Sequence, residues 1–157
     1  MSTQVLEITK DNALKAFREG TTGDKQLLTR LFPKVFAENA TEYVFDFESV
    51  CAEAGVAISD YTITADMTDD QKHDVYSRKM KLIYKVFNGD WKADFSNDKQ
   101  PKYYPWFRHT GSGFVLIDVN CCYAYTIVSA RLCAKNEAIV RHICQHFLKE
   151  YNDYLAS

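Results

Sequence analysis

No run of apolar residues in this 157-residue chain approaches the roughly 18 needed to cross a bilayer, so no membrane span is expected. The first residues, Met1-Ser2-Thr3-Gln4-Val5-Leu6-Glu7, have no basic cluster and no apolar stretch, so no secretory signal is expected there. Cysteine is sparse and odd in number: Cys51, Cys121, Cys122, Cys133 and Cys144. With no Cys-x-x-Cys spacing, these read as reduced thiols of a cytoplasmic protein, the adjacent Cys121-Cys122 pair lying in a strand or turn. Glycine (six) and proline (three) are few. The one glycine-rich stretch, Gly111-Ser112-Gly113, lacks the lysine and the following helix of a phosphate-cradling loop.

Chemistry-bearing patterns are equally thin. His142 and His146 have metal-ligand spacing, but the intervening Ile143-Cys144-Gln145 lacks the glutamate of a metalloprotease helix. A helical wheel puts both histidines opposite the Ile139, Ile143, Phe147 stripe, so they are expected in solvent. No local pattern gives Cys133 or Cys144 a base and an orienting group. Asp69-Asp70 is explained by the favourable field at a helix N-terminus. No catalytic residue, cofactor site or metal site is expected, and the chain does not read as an enzyme.

What is present is an ordinary globular composition, 46% hydrophobic and 25% charged, with ten Phe, ten Tyr and two Trp. One domain over 1–157 is expected, with a helical part at about 8–90 and a sheet with a closing helix at about 100–157. The net charge of −2 argues against binding nucleic acid through overall charge. Its distribution is uneven. Residues 38–70 hold nine acidic and no basic side chains, and residues 72–109 hold nine basic and four acidic ones. Either the two segments pack together and neutralise each other, or one of them meets a partner.

Periodicity predicts a helix over about Asp11–Glu19 ended by Gly20, and a second helix capped by Asp24 and limited by Pro33. A DNA-reading helix-turn-helix is one use of such a hairpin, but its second helix offers few cations. Phe47–Ala54 reads as a short helix stopped by Gly55. A longer helix opens on the capping box Thr68-Asp69-Asp70-Gln71 and closes at Asn88-Gly89. Alternation then predicts three strands, Lys102–Arg108, Phe114–Val119 and Tyr123–Leu132, joined by turns at 110–113 and 120–122. Pro105 marks the first as an edge or bulged strand. One long helix, about Asn136–Leu155, should pack on the sheet. The expected class is α+β: helical hairpin and helices, three-stranded antiparallel meander, long C-terminal helix.

Three segments carry a resemblance. Asn88-Gly89-Asp90-Trp91-Lys92-Ala93-Asp94-Phe95-Ser96-Asn97 precedes Lys102-Tyr103-Tyr104-Pro105-Trp106-Phe107, and Ala130-Arg131-Leu132-Cys133-Ala134-Lys135 follows. The chain resembles a family of small uncharacterised proteins from gut Bacteroidetes and their phages, over roughly residues 80–155 and loosely over 8–36. It departs from that pattern at Phe95 (Trp in the family), Ala130 (Ser) and Ala134 (Phe). The resemblance implies a phage or mobile-element setting and transfers no catalytic residue.

The strand 102–108 is aromatic on both faces, with Tyr103, Pro105 and Phe107 alternating with Tyr104 and Trp106. Trp106 is expected in the core beneath the C-terminal helix. Basic residues interleave with this cluster, so the candidate interaction residues are Arg78, Lys81, Lys85, Trp91, Lys102, Tyr103, Tyr104, Trp106, Arg108 and Arg131. Two functions follow. The first is an accessory protein that binds a host or viral protein, in a bacterial cytoplasm or on a virion. The second is a single-stranded nucleic-acid module on residues 78–108, with bases stacking on aromatics and cations meeting phosphates. Neither calls for a membrane, and no oligomeric state is implied.

Overall fold

The computed structural model describes residues 8–36, 39–125 and 132–157, which fall into two compact units, 1–43 and 44–157. The class is α+β, and no helix among the described residues is long and apolar enough to cross a membrane.

The first unit is helical: α1 (Lys10–Glu19), α2 (Thr22–Leu31) and α3 (Pro33–Phe36). Thr21, not Asp24, caps α2. Its hydroxyl accepts from the Asp24 amide at 3.3 Å, and the Asp24 carboxylate accepts from the Thr21 amide at 2.8 Å. Both hydroxyl and amide of Thr21 hold the Asp24 carboxyl below the usual carboxylate range. Gly20 ends α1 at a φ of −77°, so its left-handed freedom goes unused. The need there is for space, because a Cβ would lie 2.7 Å from the Ala16 carbonyl oxygen and 2.9 Å from the Asp24 Cβ. Packing is sparse in this unit. Phe17 stacks on Phe36 at 4.5 Å, while Leu27 and Leu31 of α2 stay exposed.

The second unit opens with α4 (Phe47–Ala54), capped by Asp46 and closed by Gly55 at a φ of +68°. A 3₁₀ turn follows at Ile58–Tyr61, then the long helix α5 (Asp69–Asn88). The Thr68/Gln71 capping box forms as expected, with bonds of 3.3 and 2.8 Å. Strands β1 (Lys102–His109) and β2 (Phe114–Cys122) make an antiparallel hairpin, and α6 (Glu137–His146) and α7 (Leu148–Ala156) close the chain. Val44, Val50, Met80, Ile83, Val140, Ile143 and Phe147 form the centre of the core. The Tyr84 hydroxyl there hydrogen-bonds to that of Tyr151, and burial pushes both phenols above their ordinary value.

Several expectations are corrected. Among the described residues the sheet has two strands, where three were expected. Asn120–Cys122 lies inside β2 instead of forming a turn, and Tyr123–Tyr125 is not a strand. Of the rest of the expected third strand, Leu132 is not in a strand and 126–131 lies outside the described residues. Beyond β1, among the described residues, there is one isolated bridge, in which Tyr103 and Ala134 exchange backbone bonds of 3.0 and 2.8 Å. Because Tyr103 bonds outward, Pro105 two residues on faces the same way, where no amide is required of it. The long C-terminal helix is also corrected. At the fully buried Phe147 the backbone leaves helical geometry (φ −120°, ψ 28°) and divides α6 from α7. The Phe147 ring packs edge-on to Phe87 at 5.7 Å.

The hairpin turn depends on Gly113 at a φ of +134°. A Cβ there would also lie 2.6 Å from the Asn152 side-chain oxygen. That oxygen accepts from the Phe114 amide at 2.6 Å, and the Asn152 side-chain nitrogen donates to the Phe114 carbonyl at 3.2 Å. Asn152 thus ties α7 to the start of β2.

Candidate functional site

The three motif segments meet in space. Asn88 ends α5 with its amide buried. It donates to the Cys133 carbonyl at 2.8 Å and accepts from the Lys135 amide at 3.1 Å. Between those residues, Ala134 bridges to Tyr103 of β1. Lys102, next to Tyr103, returns to the first segment, since its ammonium donates to the carbonyls of Asn97 at 3.0 Å and Tyr123 at 2.8 Å. It also lies 5.2 Å from the centre of the Phe95 ring, a cation–π contact. Lys102 is therefore 0% exposed, a structural cation held by neutral groups and no part of a docking surface.

The loop carrying Phe95 is itself fixed. The Ser96 hydroxyl and amide both donate to the Asp94 carboxylate, at 2.6 and 2.9 Å, and hold its carboxyl below the usual range. Gln100 accepts from the Asp94 amide at 2.7 Å and donates to the Lys92 carbonyl at 3.1 Å.

Between this loop and the last turns of α5 runs a groove of about 840 Å³. Lys81 and Lys85, one turn apart on α5, line it with Trp91, Lys92, Phe95 and the exposed Asp90. The groove therefore unites three of the expected residues, Lys81, Lys85 and Trp91. Arg78 lies over the Tyr61 ring at 5.5 Å, beside Lys79 over Phe47 at 5.1 Å. The basic helix thus meets the acidic segment through its aromatic rings. Lys72 pairs with Asp69 at 3.1 Å.

The remaining candidates are on the hairpin. Tyr103 and Tyr104 are half-buried, and Arg108 is exposed. Trp106 is 53% exposed, contrary to the core position expected of it. The pairing explains why. Trp106 opposes Asp118 and Phe107 opposes Leu116, so Ile117 is an extra residue in a β-bulge, itself 52% exposed. The other face goes inward, where Phe107 meets Tyr151 at 4.7 Å. A charged rim flanks Trp106, with Arg141 of α6 reaching Asp118 at 3.5 Å and Glu137 at 2.6 Å. Arg131 lies outside the described residues.

His142 corrects the solvent placement of the histidines. It is half-buried, and its Nε2 hydrogen-bonds to the Val44 carbonyl at 2.8 Å. Its ring lies 4.5 Å from that of His146, 5.0 Å from Phe87 and 5.6 Å from Phe45. Burial lowers its pKa and the neighbouring His146 adds to this, against the Val44 bond. The five cysteines form no disulfide. Burial pushes the Cys133 thiol up to about 11 and the Cys144 thiol up to about 12, the opposite of an activated nucleophile. No cluster of three or more metal-ligating side chains occurs among the described residues.

Sequence reasoning missed Asn88 as an anchor, Phe95 as the ring over Lys102, and Ile117 as an exposed neighbour of Trp106. Asn88 stood as a helix stop and the first residue of a motif segment but not as an anchor, and a bulge leaves no mark on simple alternation. Comparison with protein-family models, curated proteins and solved structures gives no match to this chain.

Proposed function

We propose that the protein is a non-enzymatic interaction protein that docks another protein on the hairpin face bearing Trp106 and Ile117. The observation that carries this reading is Trp106 itself, half exposed from a paired strand beside an exposed isoleucine and a charged rim. An aromatic anchor ringed by polar groups has the composition of an interface centre. The raised thiols and the internally bonded Asn88, Lys102 and Tyr84 leave those groups committed to the fold instead of to chemistry.

The phage or mobile-element setting, in a bacterial cytoplasm or on a virion, rests on the motif resemblance. Much of that motif has a structural role here, because Asn88, Lys102 and Ala134 tie the three segments together. The alternative, a single-stranded nucleic-acid module on 78–108, draws less support. Four of the nine basic side chains of 72–109 are engaged: Lys72 with Asp69, Arg78 with Tyr61, Lys79 with Phe47, and Lys102 in the interior.

Affinity capture from the cells that naturally make the protein tests the reading. A protein band at fixed stoichiometry, lost in Trp106→Ala with Ile117→Ser while the fold is retained, supports it. Bound nucleic acid with no such band contradicts it.

A further inference from the structure

The groove beside α5 has a composition of its own. Its cations are Lys81 and Lys85 from the exposed side of the helix and Lys92 from the loop. None of the three ammonium groups forms an ion pair among the described residues. The walls are Trp91 and Phe95, both half-buried and so still presenting ring surface. Where the floor is polar it is satisfied internally. The Tyr84 hydroxyl is committed to Tyr151, and both ends of the Asn88 amide bind the backbone of Cys133 and Lys135.

A site with a satisfied floor, aromatic walls and flexible point charges lacks the fixed donors and acceptors that read a polar edge. It suits an apolar side chain seated between the rings with carboxylates on either side. A nucleic-acid strand would need a longer track of cations, and the nearby Arg78, Lys79 and Lys102 are engaged elsewhere. The exposed Asp90 repels phosphate and carboxylate alike, so it does not distinguish the two.

We infer that this groove binds an acidic segment of a partner protein that carries an aromatic or aliphatic anchor residue. The inference rests on the reading of the chain as a protein-binding protein but uses a surface other than the Trp106 face. Charge complementarity carries it, since three unpaired lysines converge on an apolar slot.

Fluorescence anisotropy with the full chain tests this. The probe is a labelled short peptide of alternating glutamate and leucine with one central phenylalanine. Two comparison probes are the same peptide with lysine for each glutamate, and a labelled oligothymidylate. The acidic peptide should bind more tightly than either, and should weaken as salt screens the lysines. The double variant Lys81→Glu, Lys85→Glu should lose about tenfold or more in affinity, as expected for reversing two exposed charges. Both positions are exposed, so the variant should fold, and an unchanged circular dichroism spectrum checks it. Trp91→Ala gives a second loss through the apolar wall.

Equal binding of the lysine peptide, tighter binding of oligothymidylate, or an affinity indifferent to the double variant would overturn the inference. So would concentration-dependent self-association that accounts for the signal. If the groove fails while capture through Trp106 persists, only this inference falls. If capture is also absent, the interaction reading falls with it.

Discussion

The side-chain amide of Asn88 donates to the backbone carbonyl of Cys133 at 2.8 Å, joining the end of α5 to a segment 45 residues away. The same amide accepts from Lys135, so the short stretch that bridges to β1 through Ala134 is held on both sides of it. Asn88→Ala removes both bonds and takes the Asn88 partner from the Cys133 carbonyl and the Lys135 amide. The expected loss is about 2–4 kcal/mol in chemical denaturation. Asn88→Asp keeps the acceptor and loses the donor, so it should also destabilise.

Lys102 is the second tie, with its ammonium in the interior on two carbonyls and one ring. Lys102→Met conserves much of the stem but strips Asn97 and Tyr123 of their donor. A loss of about 1–3 kcal/mol is expected. An equally stable Lys102→Met would show that the ammonium is not needed there.

Trp106→Ala should cost under about 1 kcal/mol, as for a surface change. Phe147→Ala, at the fully buried junction of α6 and α7, should cost about 3–5 kcal/mol. Denaturant titration of both variants separates the exposed aromatic from the buried one.

His142 sets a pH dependence. Its folded pKa lies below the ordinary histidine value of 6.5, so in the window between the two the unfolded chain binds more protons. Stability is therefore full above that value and falls as pH drops through the folded pKa. Unfolding followed from about pH 7 down to about pH 5 should show a decline in the wild type. The decline should be smaller in His142→Gln. The same slope in both would place the titrating group elsewhere.

The sequence was legible where structure is local. The Thr68-to-Gln71 box and Gly89 bracket α5 because each is made by neighbours within a turn. The hairpin followed from alternation and from Gly111 and Gly113 in its turn. Legibility stopped where distant residues decide. Alternation shows that β1 has two faces but not which one α7 covers, and the bulge at Ile117 shifts the phase. The apolar stripe of the C-terminal helix runs unbroken through Phe147, so its period carries no sign of the break. A wheel put His142 in solvent because Val44, 98 positions away, is invisible to it. Lys102 looked like rim charge because its acceptors come from Asn97 and Tyr123, on separate loops. The groove was half legible: Lys81, Lys85 and Trp91 were expected, while Phe95 entered only through the motif.

Trp106 is the proposed anchor for a partner protein. Its most direct test places a photo-crosslinking p-benzoylphenylalanine at position 106, irradiated in the cells that naturally make the protein. The same residue at Lys149, exposed and distant in sequence, is the control. One discrete protein adduct is expected from position 106 and none of that mass from position 149. No adduct at 106, the same adduct from both positions, or crosslinking to nucleic acid alone would contradict it.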